Sequence, residues 1–193
     1  MNIEYLKAQF EGCPLVKIPG TPYKLVVNPV TEQEPEATDP KVLKAVAEEF
    51  VKKSEAFAIA DKIFGEEDKG AVYVAATSLE TNLPFGIARW TNSGINWKQF
   101  QSFDFEYGSK RLYIFGVKAG DKVVVIDDLV STGGTMIAML KSLQREGVEI
   151  LDVLAIADKV EYKGLERIKK ETGFGVKTLF SISVGGEKCK VVN

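Results

Sequence analysis

The chain of 193 residues contains no histidine. That excludes serine–histidine–aspartate and cysteine–histidine catalysis, and any metal held by imidazole. A metal ion working with this chain has to be a hard cation bound through oxygen. Cysteine is scarce. Cys13 and Cys189 lie far apart and form no C-x-x-C pair, so two free or buried thiols are expected, with a disulfide between them as the alternative. No apolar run approaches the length of a membrane-spanning helix, and residues 1–7 lack a signal-peptide pattern. A cytoplasmic protein with no membrane partner is the expectation. The formal charge is -2, so no overall basic surface for nucleic acid is implied. Internal repeats and low-complexity tracts are missing as well.

What is present suits one α/β domain with a small attachment, since apolar residues make up 45% of the chain. Residues 1–38 hold most of the prolines and short β-like runs at 15–18 and 23–27, and read as a small irregular lobe. Asp39 then caps a helix with Pro40 at its first position, and Val42, Leu43, Val46 and Phe50 give that helix an apolar face. From residue 39 to 193 strands alternate with helices. Strands are expected at 62–65, 84–88, 111–115, 122–126, 150–157 and 176–184, and helices at 71–79 and 164–170. Such alternation predicts a mostly parallel twisted sheet with helices on both faces. Residues 90–108 are polar and aromatic without a steady period and read as a long mobile loop, of the kind that serves as an active-site lid.

The densest signal runs over 123–135. Val123, Val124, Val125 and Ile126 form an apolar run without alternation, which reads as a buried parallel strand. Asp127 and Asp128 follow at once. A small-residue turn comes next, made of Ser131, Thr132, Gly133, Gly134 and Thr135. Met136, Met139, Leu140 and Leu143 then recur at helical spacing. The turn therefore offers backbone N–H groups at a helix N-terminus, a ready site for a phosphate dianion. The hydroxyls of Thr132 and Thr135 add donors, and the carboxylates lie where the vicinal hydroxyls of an attached sugar would be. No lysine follows the glycines and no G-x-G-x-x-G is present, so neither a Walker loop nor a dinucleotide fingerprint is in play. A bland tight turn beside two solvated acids would account for the glycines or the acids alone. The whole pattern points to a ribose 5-phosphate site.

This segment resembles the phosphoribosyl-pyrophosphate (PRPP) motif of type I phosphoribosyltransferases, most like the adenine enzymes and the archaeal hypoxanthine/guanine enzymes. The resemblance implies that Asp127 and Asp128 bind the ribose 2- and 3-hydroxyls and that Ser131 to Thr135 cradle the 5-phosphate. Glu67, Asp68, Lys69 and Gly70 resemble the family's pyrophosphate loop, with Lys69 in place of the usual arginine, which keeps the charge and loses the planar fork. Glu106, Tyr107 and Gly108 resemble the end of the catalytic loop, and the spacing from Arg89 to Glu106 fits it. Residues 1–38, with Cys13 to Val16 and Tyr23 to Pro29, resemble the hood over the purine base.

One departure stands out. The family carries a basic run into the mobile loop, and here only Arg89 remains, followed by Trp90 to Gly94. Lys98, Lys110 and Arg111 are the cations placed to substitute.

The resemblance implies a purine phosphoribosyltransferase, a homodimer whose partners are PRPP and a purine base, with Mg²⁺ carried mainly by PRPP and no direct protein metal site. Adenine is placed ahead of hypoxanthine and guanine. Ser131 and the Glu106–Gly108 ending fit the adenine branch, whereas Cys13 to Val16 and the pair Asp158–Lys159 fit the archaeal 6-oxopurine branch. Asp158 would accept from an adenine amino group and Lys159 would donate to a 6-oxo group, and strand alternation lets only one of them face inward. The alternatives are a non-catalytic PRPP or nucleotide sensor of the same fold and an orotate-type transferase, the latter disfavoured by Glu106, Tyr107 and Gly108.

Overall fold

The computed structural model describes residues 3–28, 30, 37–90, 100–105 and 108–193; residues 91–99, Glu106 and Tyr107 fall outside this set. Helix α1 (Ile3–Phe10) leads into a separate two-stranded sheet of β1 (Leu15–Lys17) and β2 (Lys24–Val26). Helix α2 (Pro40–Lys53) starts where Asp39 and Pro40 place it, with the Asp39 carboxylate accepting the Lys41 N–H at 2.9 Å. Strand β3 (Lys62–Glu66), helix α3 (Ala71–Thr81) and strand β4 (Phe85–Arg89) follow. Strands β5 (Phe100–Phe105), β6 (Gly108–Phe115) and β7 (Lys122–Val130) precede helix α4 (Gly134–Arg145). The chain ends with β8 (Glu149–Lys159), α5 (Gly164–Thr172), β9 (Lys177–Ser183) and β10 (Lys190–Val191).

The main sheet has the order β10-β9-β8-β7-β3-β4-β6-β5. Its centre, β9 through β4, is parallel, while β5, β6 and β10 run antiparallel at the edges. From β3 the sheet grows toward β4 on one side and toward β7, β8 and β9 on the other. The carboxyl ends of β3 and β7 therefore lie side by side at the point where the winding reverses, which is where open α/β sheets take their ligands.

The missing alternation in 123–126 has a direct cause. Val124 and Ile126 pack with Phe10, Phe50 and Tyr73 on the α1–α2–α3 side. Val123 and Val125 pack with Phe64, Met136, Leu140 and Ile168 on the α4–α5 side. Both faces of β7 are covered, so both need apolar residues.

Three expectations are corrected. Residues 100–105 are a strand rather than part of a structureless loop, paired with β6 from Phe100↔Tyr113 to Phe105↔Gly108. That order comes from a hairpin partner, not from any period within the segment. The lobe before residue 39 is less irregular than expected: α1 buries Leu6 and Phe10, and the Phe10 ring meets the Phe180 ring edge-on at 5.3 Å. Strand β7 also continues through the two acids to Val130, because Asp127↔Ala155, Leu129↔Ala157 and Val130↔Asp158 extend its ladder with β8. Among the described residues no helix is long and apolar enough to cross a membrane.

Candidate active site

A cleft of about 360 Å³ opens over the carboxyl ends of β3, β7 and β8. Asp127 and Asp128 lie at its floor, both buried. The Asp127 carboxylate accepts the Asp128 N–H at 2.9 Å. Loss of water pushes the Asp127 carboxyl well above the usual range, and the charges of Asp128 and Glu66 push in the same direction. Burial likewise pushes Asp128 up to about 6, against the pull of the Leu129 N–H and of the Lys69 and Lys159 ammoniums. A polar pair kept dry and above its ordinary titration range marks a place prepared for a ligand.

The turn after β7 brings Ser131, Thr132, Gly133, Gly134 and Thr135 to one wall of the cleft. Helix α4 begins there with no side-chain cap, and its first residues line the cleft. Gly133 has φ +82, and a Cβ on it would stand 2.8 Å from Ile168 Cγ1 and 3.0 Å from the Gly164 carbonyl oxygen. Only glycine lets the turn lie this close to α5. Gly133→Ala is expected to cost about 1–3 kcal/mol. Urea denaturation checks this, and an unchanged midpoint would show that the turn relaxes without strain.

The loop between β3 and α3 forms the facing wall. Asp68 and Lys69 line the cleft, and Gly70 lets the loop approach Asp127, because a Cβ there would stand 3.2 Å from Asp127 Oδ1. Glu66, 5% exposed, closes β3 and accepts the N–H groups of Asp68 at 2.9 Å, of Lys69 and of Gly70 at 3.0 Å, and the Trp90 indole N–H at 3.1 Å. Glu67 accepts the Trp90 backbone N–H at 2.6 Å. Arg89 does not line the cleft. It lies 3.8 Å from Glu67 Oε2 and over the Phe115 ring, 5.5 Å from its centroid.

Strand β2 and the end of β8 close the remaining side. Tyr23, Lys24 and Leu25 line the cleft. Lys24 Nζ donates to the carbonyls of Val184 at 2.9 Å and Gly186 at 2.7 Å, and the Lys24 N–H donates to the Tyr162 hydroxyl at 2.9 Å. Of the neighbours at the end of β8, Lys159 lines the cleft and donates to the Lys24 carbonyl at 2.9 Å. Asp158 instead accepts the Ser181 hydroxyl of its partner strand at 2.6 Å.

The structure thus brings Asp127, Asp128, Ser131–Thr135, Asp68 and Lys69 around one cleft, with Gly70 packed behind Asp127 rather than lining it, and Arg89 also outside the lining. Glu106 is not among the described residues, and neither is Lys98. Sequence reasoning passed over Glu66 and Trp90. The signal for Glu66 was there: a buried strand run ending in acids before a Lys-Gly turn repeats the order seen at Asp127. Among the described residues no three His, Cys, Asp or Glu side chains are grouped to hold a metal ion.

A switch-point sheet whose central strand carries two buried acids near its carboxyl end, before a Gly-Gly turn, defines the class of site, and comparison with known proteins gives it a family. The profile of the phosphoribosyl transferase domain matches residues 37–187. The chain belongs to this family. It is 38% identical over 189 residues to a hypoxanthine/guanine phosphoribosyltransferase of Methanothermobacter thermautotrophicus, covering 98% of this chain and 94% of that protein. The corresponding protein of Methanocaldococcus infernus is 37% identical over 181 residues, covering 93% and 94%. Among solved structures, the fold is shared with adenine phosphoribosyltransferase from Thermoanaerobacter pseudethanolicus, with a TM-score of 0.76 at 22% identity over 93% of this chain and 99% of that one. It is also shared with the enzyme from Saccharomyces cerevisiae, with a TM-score of 0.74 at 21% identity over 92% and 97%.

Proposed function

We propose that this chain is a purine phosphoribosyltransferase that joins a 6-oxopurine, hypoxanthine or guanine, to the ribose of PRPP. The observation that carries the choice is that Lys159 lines the cleft while Asp158 is turned to Ser181. An ammonium only donates, so it matches a 6-oxo oxygen and mismatches a 6-amino group. The names of the relatives at 38% and 37% identity support the same base. Adenine, placed first on sequence grounds, becomes the alternative.

In this reading a purine nitrogen attacks C1 of PRPP while the C1–O bond to pyrophosphate breaks, and a nucleoside 5-monophosphate forms. Ser131, Thr132, Gly133, Gly134 and Thr135 hold the 5-phosphate. Asp127 and Asp128 hold the diol and place negative potential beside a sugar ring that becomes positive. Asp68, Lys69 and Gly70 receive the pyrophosphate, with Arg89 reaching in from the margin. Glu106 belongs to the same reading as the catalytic-loop residue that the resemblance implies. The strands β1 and β2 within residues 1–38 form the hood over the base, on the core of residues 39–193. Mg²⁺ carried in on the oxygens of PRPP would supply charge neutralisation for the leaving pyrophosphate, beside a cleft whose acids are themselves oxygen donors. The homodimer implied by the resemblance belongs to the same reading.

The test is a base panel with PRPP and Mg²⁺, paired with calorimetry of a nucleoside 5-monophosphate against its nucleoside. Product from hypoxanthine or guanine, and much tighter binding of the monophosphate, are expected. Product from adenine alone would restore the adenine reading. Saturable PRPP binding without pyrophosphate release from any base would make the protein a sensor.

A further inference from the structure

Four N–H donors converge on one carboxylate inside the proposed pyrophosphate pocket. They are the backbone groups of Asp68 at 2.9 Å, Lys69, and Gly70 at 3.0 Å, and the Trp90 indole at 3.1 Å, all received by Glu66. Successive backbone N–H groups turned inward form a concavity that suits an anion. Here the anion is supplied by the chain itself. A carboxylate and a phosphate oxygen pair take the same donors, and charge-assisted bonds of this type are the strong ones.

We propose that Glu66 is an internal occupant of the pyrophosphate position, and that the pyrophosphate group of PRPP displaces its carboxylate from the loop of residues 68–70. The inference rests on the functional reading above and adds a regulation of that site: affinity for pyrophosphate is set by competition with Glu66. Three further observations fit. Glu66 lines the same cleft as Asp68 and Lys69. Its charge bears on both Asp127 and Asp128, so its departure relieves the crowding of acids around the diol site. Trp90 is tied to Glu66 through its indole and to Glu67 through its backbone, so its side chain responds to whether Glu66 is in place. Displacement of Glu66 releases the Trp90 indole.

The experiment uses inorganic pyrophosphate with Mg²⁺ as the probe. Glu66→Gln keeps the length and removes the negative charge. Glu66→Asp keeps the charge and withdraws it from the loop by one methylene. Displacement predicts that both variants bind pyrophosphate more tightly than the parent by calorimetry, several-fold to about tenfold. It also predicts that the ¹⁹F resonance of Trp90 moves when pyrophosphate is added to parent protein carrying 5-fluorotryptophan. That resonance is assigned with Trp97→Phe, since the chain has two tryptophans. Weaker binding by both folded variants would make Glu66 a scaffold of the loop and overturn the proposal. Tighter binding by Glu66→Gln alone would reduce the effect to long-range charge, which overturns it too. A Trp90 resonance that stays put at saturation would show that Glu66 keeps its donors. Pyrophosphate that binds neither parent nor variants would overturn the functional reading itself.

Discussion

The double variant Asp127→Asn, Asp128→Asn is expected to lose turnover by several orders of magnitude while melting at a higher temperature than the parent at pH 7. Both effects come from one cause. The acids are buried, and burial drives both carboxyl groups upward, Asp128 to about 6. A group that binds its proton more tightly in the folded state stabilises the fold at low pH. That contribution is fully present below the ordinary carboxylate value of 3.8 and is lost as pH rises toward about 6. At neutral pH the charge on Asp128 is therefore a standing cost to the fold, and any charge on Asp127 adds to it. Asparagine keeps the size and can still accept the Asp128 N–H at the position of Asp127 Oδ1. The gain in melting temperature should be a few degrees, since 1 kcal/mol moves a domain of this size by about 2–4 °C. It should shrink when the two proteins are compared near pH 4. Catalysis loses what the charges do for a positive sugar ring, about 2.7–4 kcal/mol for a preorganised electrostatic group. Scanning calorimetry at the two pH values and a steady-state assay check both halves. A folded double variant with parental rates would remove the acids from the mechanism. A variant less stable than the parent at pH 7 would show that the pair is held by its surroundings rather than strained by them.

The parts of the fold that were legible in the sequence are those whose information is local. Val123 to Thr135 spells strand, acids, turn and helix in consecutive residues, and each step has its own chemistry. Asp39 with Pro40 marks a helix start in two residues, and the structure begins α2 there. The parallel core was legible because buried strands leave apolar runs between helical periods. The rest was set by pairing at a distance. β5 owes its order to β6 across a hairpin, and nothing in the spacing of Phe100, Phe103 and Phe105 announces it. Helix α1 is short, and its place is decided by Leu6 and Phe10 packing against residues far along the chain, Phe180 among them. The site divides in the same way. The acids and the glycine turn were legible as a motif. Which of Asp158 and Lys159 faces the cleft was not, because alternation says only that they differ. The choice is made by Ser181 on the next strand, which pairs with Asp158 and offers it a hydroxyl. Glu66 was missed because a strand-end acid beside a charged loop looks like a solvated residue until its four donors are seen.

Lys159→Met is expected to weaken the use of 6-oxopurines sharply, with little effect on the binding of PRPP. Methionine keeps much of the apolar stem and removes the donor. A hydrogen bond to a charged group contributes about 1.5–3 kcal/mol, so kcat/KM for hypoxanthine and guanine should fall by about tenfold to a few hundredfold. Adenine should not become a good substrate, since no acceptor for its amino group is created. Lys159 also holds the Lys24 carbonyl at 2.9 Å, and a loosened hood could depress turnover by itself. Two readouts separate the roles. A donor to the base predicts a higher KM for the base with an unchanged Kd for PRPP. It also predicts that Lys159→Arg, which still donates, restores part of the 6-oxopurine activity. A hood that has come loose predicts a fall in kcat for every base and a lower melting temperature. If the Met variant turns over hypoxanthine as well as the parent does, the ammonium is a brace for β2. The base specificity must then come from the backbone of the hood, where Leu25 and Val26 line the cleft.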